Sequence, residues 1–166
     1  RPLILGAETA PTGDVRQRLE AYPAPIALLY LDYLNRQGPF ERMSRMLDLF
    51  EATAAFVAVI LLGQLAALAG DETADRIKSS GIRLGRTSLG AWLTVWQRIP
   101  GLCNTLGKSY YARRLQSVFD QRYDDLDALR ILRNETRGHG ATGSAQDAIE
   151  ILKDYGPRLE GIVGAL

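Results

Sequence analysis

Residues 52–70 form a run of 19 without one charged side chain, inside a longer stretch, 40–69, with no proline and one glycine. Nothing in that stretch stops a helical hydrogen-bond ladder, so it reads as one long helix. The run is long enough to cross a bilayer. Against a crossing, seven of the 19 are alanine, Gln64 lies inside, and neither end has a basic cluster or a tryptophan belt. The half before it is amphipathic and continues into it without a break: Met43, Met46, Leu47 and Phe50 alternate with Glu41, Arg42, Arg45 and Asp48. The expectation is a central helix packed on several sides, its alanines permitting close approach, with no membrane as partner.

Shorter helical segments surround this one. Residues 1–22 read as an N-terminal extension interrupted by Pro2, Pro11 and Gly13, with a short helix over 14–22. Residues 25–34 form a helix that Gln37-Gly38-Pro39 stops. Residues 71–79 form a short helix, and 80–88 a loop. A helix over 88–98 ends at Pro100-Gly101, and its Trp92 and Trp96 belong to the core rather than to a base-stacking platform. In a helix over 109–121, Tyr110, Leu115, Val118 and Phe119 look inward while Arg113 and Arg114 look out. Asp124 and Asp125 read as N-caps of the next helix, whose stripe is Leu126, Leu129 and Leu132. The last helix, 145–166, is kinked or broken at Gly156-Pro157. No strand alternation appears. The predicted fold is all-α: a compact bundle of five to seven helices in one domain, residues 23–166, large enough at 46% apolar composition for a real core.

Chemistry is restricted by scarcity. One histidine and one cysteine exclude a disulfide framework and the usual protein zinc sites. Cys103 reads as a reduced thiol, which suits a cytoplasmic protein. Asp124, Asp125 and Asp127 read as helix caps rather than metal ligands. Gly81-Ile82-Arg83-Leu84-Gly85 and Gly107-Lys108-Ser109 lack the spacing and preceding strand of a phosphate loop. With no dinucleotide fingerprint either, neither metal nor cofactor is expected. No signal peptide is read in residues 1–13, and a start at Arg1-Pro2 suggests a domain of a larger chain.

Charge is uneven despite a net value of +1. Residues 76–119 carry eight basic side chains and no acid, Arg83, Arg86, Arg113 and Arg114 among them. Arginine outnumbers lysine 17 to 3, and its fork suits phosphate. Such a segment fits a polyanion if folding gathers the charges on one side. It equally fits a general arginine bias with acids opposite in space.

The only histidine lies in Leu132-Arg133-Asn134-Glu135-Thr136-Arg137-Gly138-His139-Gly140. Arg130, Arg133 and Arg137 fall at i, i+3 and i+7 along one edge of the helix. Gly138 reads as the residue just past the helix, letting His139 fold back towards the arginines. The helix C-terminus favours imidazolium and the arginines favour neutral imidazole, a balance suited to proton transfer near neutral pH. The plain alternative is a surface histidine or a helix-end cap.

An arginine, a polar residue and a histidine after a short interval, ending a helix in a helical domain, resemble the signature of the HEPN superfamily. Here five residues separate Arg133 and His139, and Asn134 is the polar residue. The resemblance implies an all-helical domain that pairs as a homodimer, with both motifs lining one cleft. It implies a metal-independent endoribonuclease. His139 would be general base or acid on a ribose 2′-hydroxyl, Arg133 would neutralise the scissile phosphate, and Asn134 would orient one of them. Arg137 and Arg130, with the basic middle, would bind RNA, and cleavage would leave a cyclic phosphate. Other members imply a non-catalytic dimerisation or nucleotide-binding module of a larger defence, toxin or regulatory protein. Members modified by nucleotidyl transfer often carry a tyrosine two residues after the histidine; Ala141 stands there.

Overall fold

The computed structural model describes residues 17, 19–85, 88–107, 109–138 and 143–166, and of 137 and 138 only the backbone. Among these residues the protein is all-α, with seven helices and no strand. They are α1 (Ala24–Asn35), α2 (Pro39–Ala69), α3 (Thr73–Ser79), α4 (Leu89–Leu106), α5 (Tyr110–Gln121), α6 (Tyr123–Gly138) and α7 (Ala145–Ala165). A 3₁₀ turn, Gly70–Glu72, joins α2 to α3.

The long helix α2 is the spine. It packs against α1, α4 and α7 along its length and touches α5 and α6. Its inner stripe, including Met46, Phe50, Ala54, Val57, Leu61 and Leu65, is buried to 1% exposure or less. Full burial of each large side chain contributes about 1.5–3 kcal/mol before entropy is counted. The helix packs on several sides, as its sequence predicts, but one outer stripe stays open. Val59 is 61% exposed, and Gly63, Ala66 and Ala67 are exposed too. The helix meets the length and hydropathy of a membrane span, with 33% of its most apolar window buried inside the bundle. Gln64, the polar side chain in the uncharged run, accepts a hydrogen bond from Ser109 Oγ at 3.1 Å. Gly70 ends α2 with φ of 53°, a conformation that costs glycine little.

α2 and α4 finish side by side, since Gly107 abuts Leu68. α5 returns along α4, and Trp96 fixes the pair: its ring is fully buried and its Nε1 donates to the Leu115 carbonyl at 2.8 Å. Tyr110 is 65% exposed, not inward as its place in the apolar pattern predicts. It stands one residue past the Ser109 cap, before the stripe of Ala112, Leu115, Val118 and Phe119 settles inward.

Neither Pro100, expected to end a helix, nor Pro157, expected to kink or break one, ends the helix it stands in. Pro100 lies inside α4 and Pro157 inside α7. A proline in a helix interior costs about 3 kcal/mol. At position 100 that cost is offset by burial of Ile99, Pro100 and Cys103 in the core. α7 starts from a capping box, in which Asp147 N–H donates to Ser144 Oγ and Ser144 N–H to Asp147 Oδ2. At Gly156 a Cβ would stand 3.0 Å from Tyr33 Oη of α1, so a side chain there would press on the end of that tyrosine. Burial pushes the Cys103 thiol above its ordinary value, against a smaller lowering by a backbone hydrogen bond, which leaves it an unreactive core residue.

Candidate nucleic-acid interface

α6 carries the motif. Its start is one residue earlier than the expected caps: Asp124 and Asp125 lie in the first turn, where their charge favours the helix dipole. Asp125 also reaches Arg158 of α7 at 3.2 Å and Arg122 at 3.5 Å, tying the two helices together. Leu126, Leu129 and Leu132 are buried as the pattern predicts. At the other end Gly138 is the last helical residue rather than the first beyond the helix. Thr136 donates its hydroxyl to the Leu132 carbonyl at 2.8 Å, supporting that last turn.

The arginines of α6 stand in different surroundings. Arg133 is gripped from α2: its Nε and Nη2 lie 3.1–3.3 Å from both oxygens of Glu51. The two side chains are 26% and 28% exposed, so the pair is largely shielded but open on one side. Such a forked pairing fixes the guanidinium plane as well as its position. Arg130, one turn earlier, pairs with Asp127 at 2.6 Å and is more open. Asn134 is exposed. His139 and Arg86 lie outside the described residues, as does the side chain of Arg137.

The basic middle does not form a single surface among the described residues. Arg83 is exposed and borders a cavity of about 310 Å³ at the start of α4, with Ser88, Gly90 and Thr94. Arg114 borders a different cavity, about 370 Å³, whose walls are mainly apolar: Tyr22, Phe56, Ile60, Tyr111 and Leu166. Arg114 also donates to the Leu166 carbonyl at 3.2 Å, and Arg113 beside it is exposed. Arg76 is paired with Glu72 at 2.7 Å, and Arg98 donates to the Ser80 carbonyl at 2.6 Å. Arg83 and Arg130 border neighbouring cavities that share Gly90 and Thr94, whereas Arg113 and Arg114 stand apart from them.

Sequence reasoning passed over Glu51. Its signal was its place as the last charge before the uncharged run, on the helix that every other element packs around. It also read Asp127 only as a cap, although Asp127 and Arg130 are three apart on one helix face. No three His, Cys, Asp or Glu side chains come together in a metal-sized group among the described residues.

Compared with protein-family models, with curated proteins and with solved structures, the chain finds no match.

Proposed function

We propose that the chain is a HEPN-like domain acting as a metal-independent endoribonuclease through Arg133 and His139, each motif contributing to a cleft between two copies. The observation that carries this reading is the grip of Glu51 on Arg133. A guanidinium oriented by a carboxylate from the central helix, one side still open to solvent, is prepared to meet a phosphate. His139 takes the 2′-hydroxyl proton and returns one to the leaving 5′-oxygen. Arg133 neutralises the charge that builds on the phosphoryl oxygens, and the product is a 2′,3′-cyclic phosphate. Asn134, exposed beside Arg133, orients the ribose or the imidazole.

The same ion pair favours a second reading. A forked Arg133–Glu51 bridge is also a strut between α6 and α2, as expected of a non-catalytic dimerisation or nucleotide-binding module. Purified protein incubated with RNA in EDTA separates the two. The nuclease reading expects cleavage that persists in EDTA and falls by about 10²–10⁴ in His139→Ala, with melting temperature and RNA affinity unchanged. Arg133→Ala loses cleavage to a similar degree and binds RNA more weakly. Wild-type protein, tested also in its longest natural form, that dimerises but leaves RNA intact establishes the module instead.

A further inference from the structure

We infer that a trough along the first two turns of α4 seats a short single-stranded nucleic acid segment; the ligand class rests on the ribonucleolytic reading above. Two cavities, about 210 and 310 Å³, adjoin at Gly90 and Thr94, which border both, and make up the trough. Together they reach the size of an ordinary ligand pocket, about 300–1,000 Å³. The floor is open because residue 90 is glycine: a Cβ there would meet nothing within 4 Å.

Each cavity of the trough has a cation on its wall, and one of them has a ring as well. Arg83 is exposed at one cavity and has no ion-pair partner among the described residues. Arg130 stands at the other, one helical turn from Arg133. Tyr123 lines the same cavity as Arg130 and is 51% exposed, its ring steadied by an edge-on contact with Phe119 at 5.9 Å. A steadied aromatic ring with an open face is what an unstacked base lies on. Gln97 is exposed on the same wall and offers a donor and an acceptor to a base edge. Thr94 donates its hydroxyl to the Gly90 carbonyl at 2.7 Å and keeps its lone pairs for a ligand donor. From Gly90 to Gln97 the helix rises about 10 Å. Asp127 is the opposing charge on the wall. It is bound to Arg130 in an exposed pair of the kind that contributes little, so a phosphate replaces it at small cost. An acidic peptide would use the two arginines but not the Tyr123 face.

The test is fluorescence anisotropy of the full chain with a labelled 2′-O-methyl oligouridine. That probe lacks the attacking hydroxyl, so it reads binding without cleavage. Gly90→Phe adds a ring at the trough from a Cβ that itself meets nothing within 4 Å; Tyr123→Leu removes the stacking face. Each is expected to weaken binding by roughly tenfold or more, the scale of one lost base–aromatic stack. Arg113→Glu is expected to change it far less, and circular dichroism to stay that of wild type. If Gly90→Phe misfolds, Tyr123→Leu alone decides. Equal binding by wild type and both variants overturns the trough and leaves the nuclease reading standing. No binding by wild type at low salt also overturns the trough, and cleavage of ordinary RNA then judges the nuclease reading separately. Displacement of the probe by polyglutamate as readily as by unlabelled oligouridine overturns the nucleic acid assignment.

Discussion

Arg133 and Arg83 carry the same guanidinium in opposite settings. Arg133 is about three-quarters shielded and held by both oxygens of a carboxylate 82 positions away in sequence. Arg83 follows the turn after α3, exposed and without a carboxylate partner among the described residues. The first is fixed in orientation at the cost of part of its free charge. The second keeps its charge but little fixed geometry. Chemistry at a phosphate needs the former, and salt-dependent affinity needs only the latter. A count of positive charges along the chain merges the two kinds.

The sharpest way to break this contrast is to release Arg133. Glu51→Ala leaves the guanidinium in place but removes what orients it. We expect cleavage to fall by about 10–10², less than for loss of Arg133 itself. RNA affinity should hold or rise, because a positive charge has been unmasked. Stability should fall by about 1–2 kcal/mol, between the values for exposed and buried ion pairs. For a chain of this size that is a shift of about 2–8 °C in melting temperature. Single-turnover rates and thermal melts read the two effects apart. A loss of stability with cleavage unaltered makes Glu51 a strut and nothing more.

The contrast also marks where the sequence was legible. Helix existence followed from periodicity, because α2, α5 and α6 bury the faces their apolar spacing indicates. Helix ends were less legible. Pro100 is a strong local stop signal, yet the core outweighs it at Ile99 and Cys103, and no local rule contains that energy. Tyr110 belonged to the apolar pattern and still faces solvent. At the site, Arg130, Arg133 and Asn134 could be placed on one helix from spacing alone. That Glu51 meets Arg133 could not, because the contact joins two helices whose relative placement only the packed core decides. The division of Arg83 from Arg114 was hidden for the same reason: 31 residues of sequence do not say which end of a bundle each will occupy.

That division carries the next expectation. Arg83→Glu should weaken single-stranded RNA binding and lower the dependence of log K on log salt by about one, the mark of one lost phosphate contact. The double variant Arg113→Glu with Arg114→Glu, although it reverses twice the charge, should change both less, because Arg114 borders the separate apolar cavity with Tyr22 and Leu166 and Arg113 borders neither cavity of the trough. Titrations at several salt concentrations check this. A greater loss in the double variant than in Arg83→Glu reverses the assignment and moves the affinity surface to the start of α5.

The smallest effect belongs to Asp127, which lies between the two settings. Its carboxylate holds Arg130 at 2.6 Å, with both side chains well exposed at 40% and 38%. Exposed pairs three apart on a helix contribute at most about 1 kcal/mol. Asp127→Asn should therefore leave the melting temperature nearly unchanged. It removes a negative charge from the trough wall and frees Arg130, so the 2′-O-methyl probe should bind about two- to fivefold more tightly at low salt. The gain should vanish as salt rises, because an exposed charge is screened within a Debye length of about 8 Å at physiological ionic strength. Weaker binding in Asp127→Asn would carry the opposite meaning. Arg130 would then resemble Arg133, a guanidinium that serves only when a carboxylate aims it, and the free cation of the trough would be Arg83 alone.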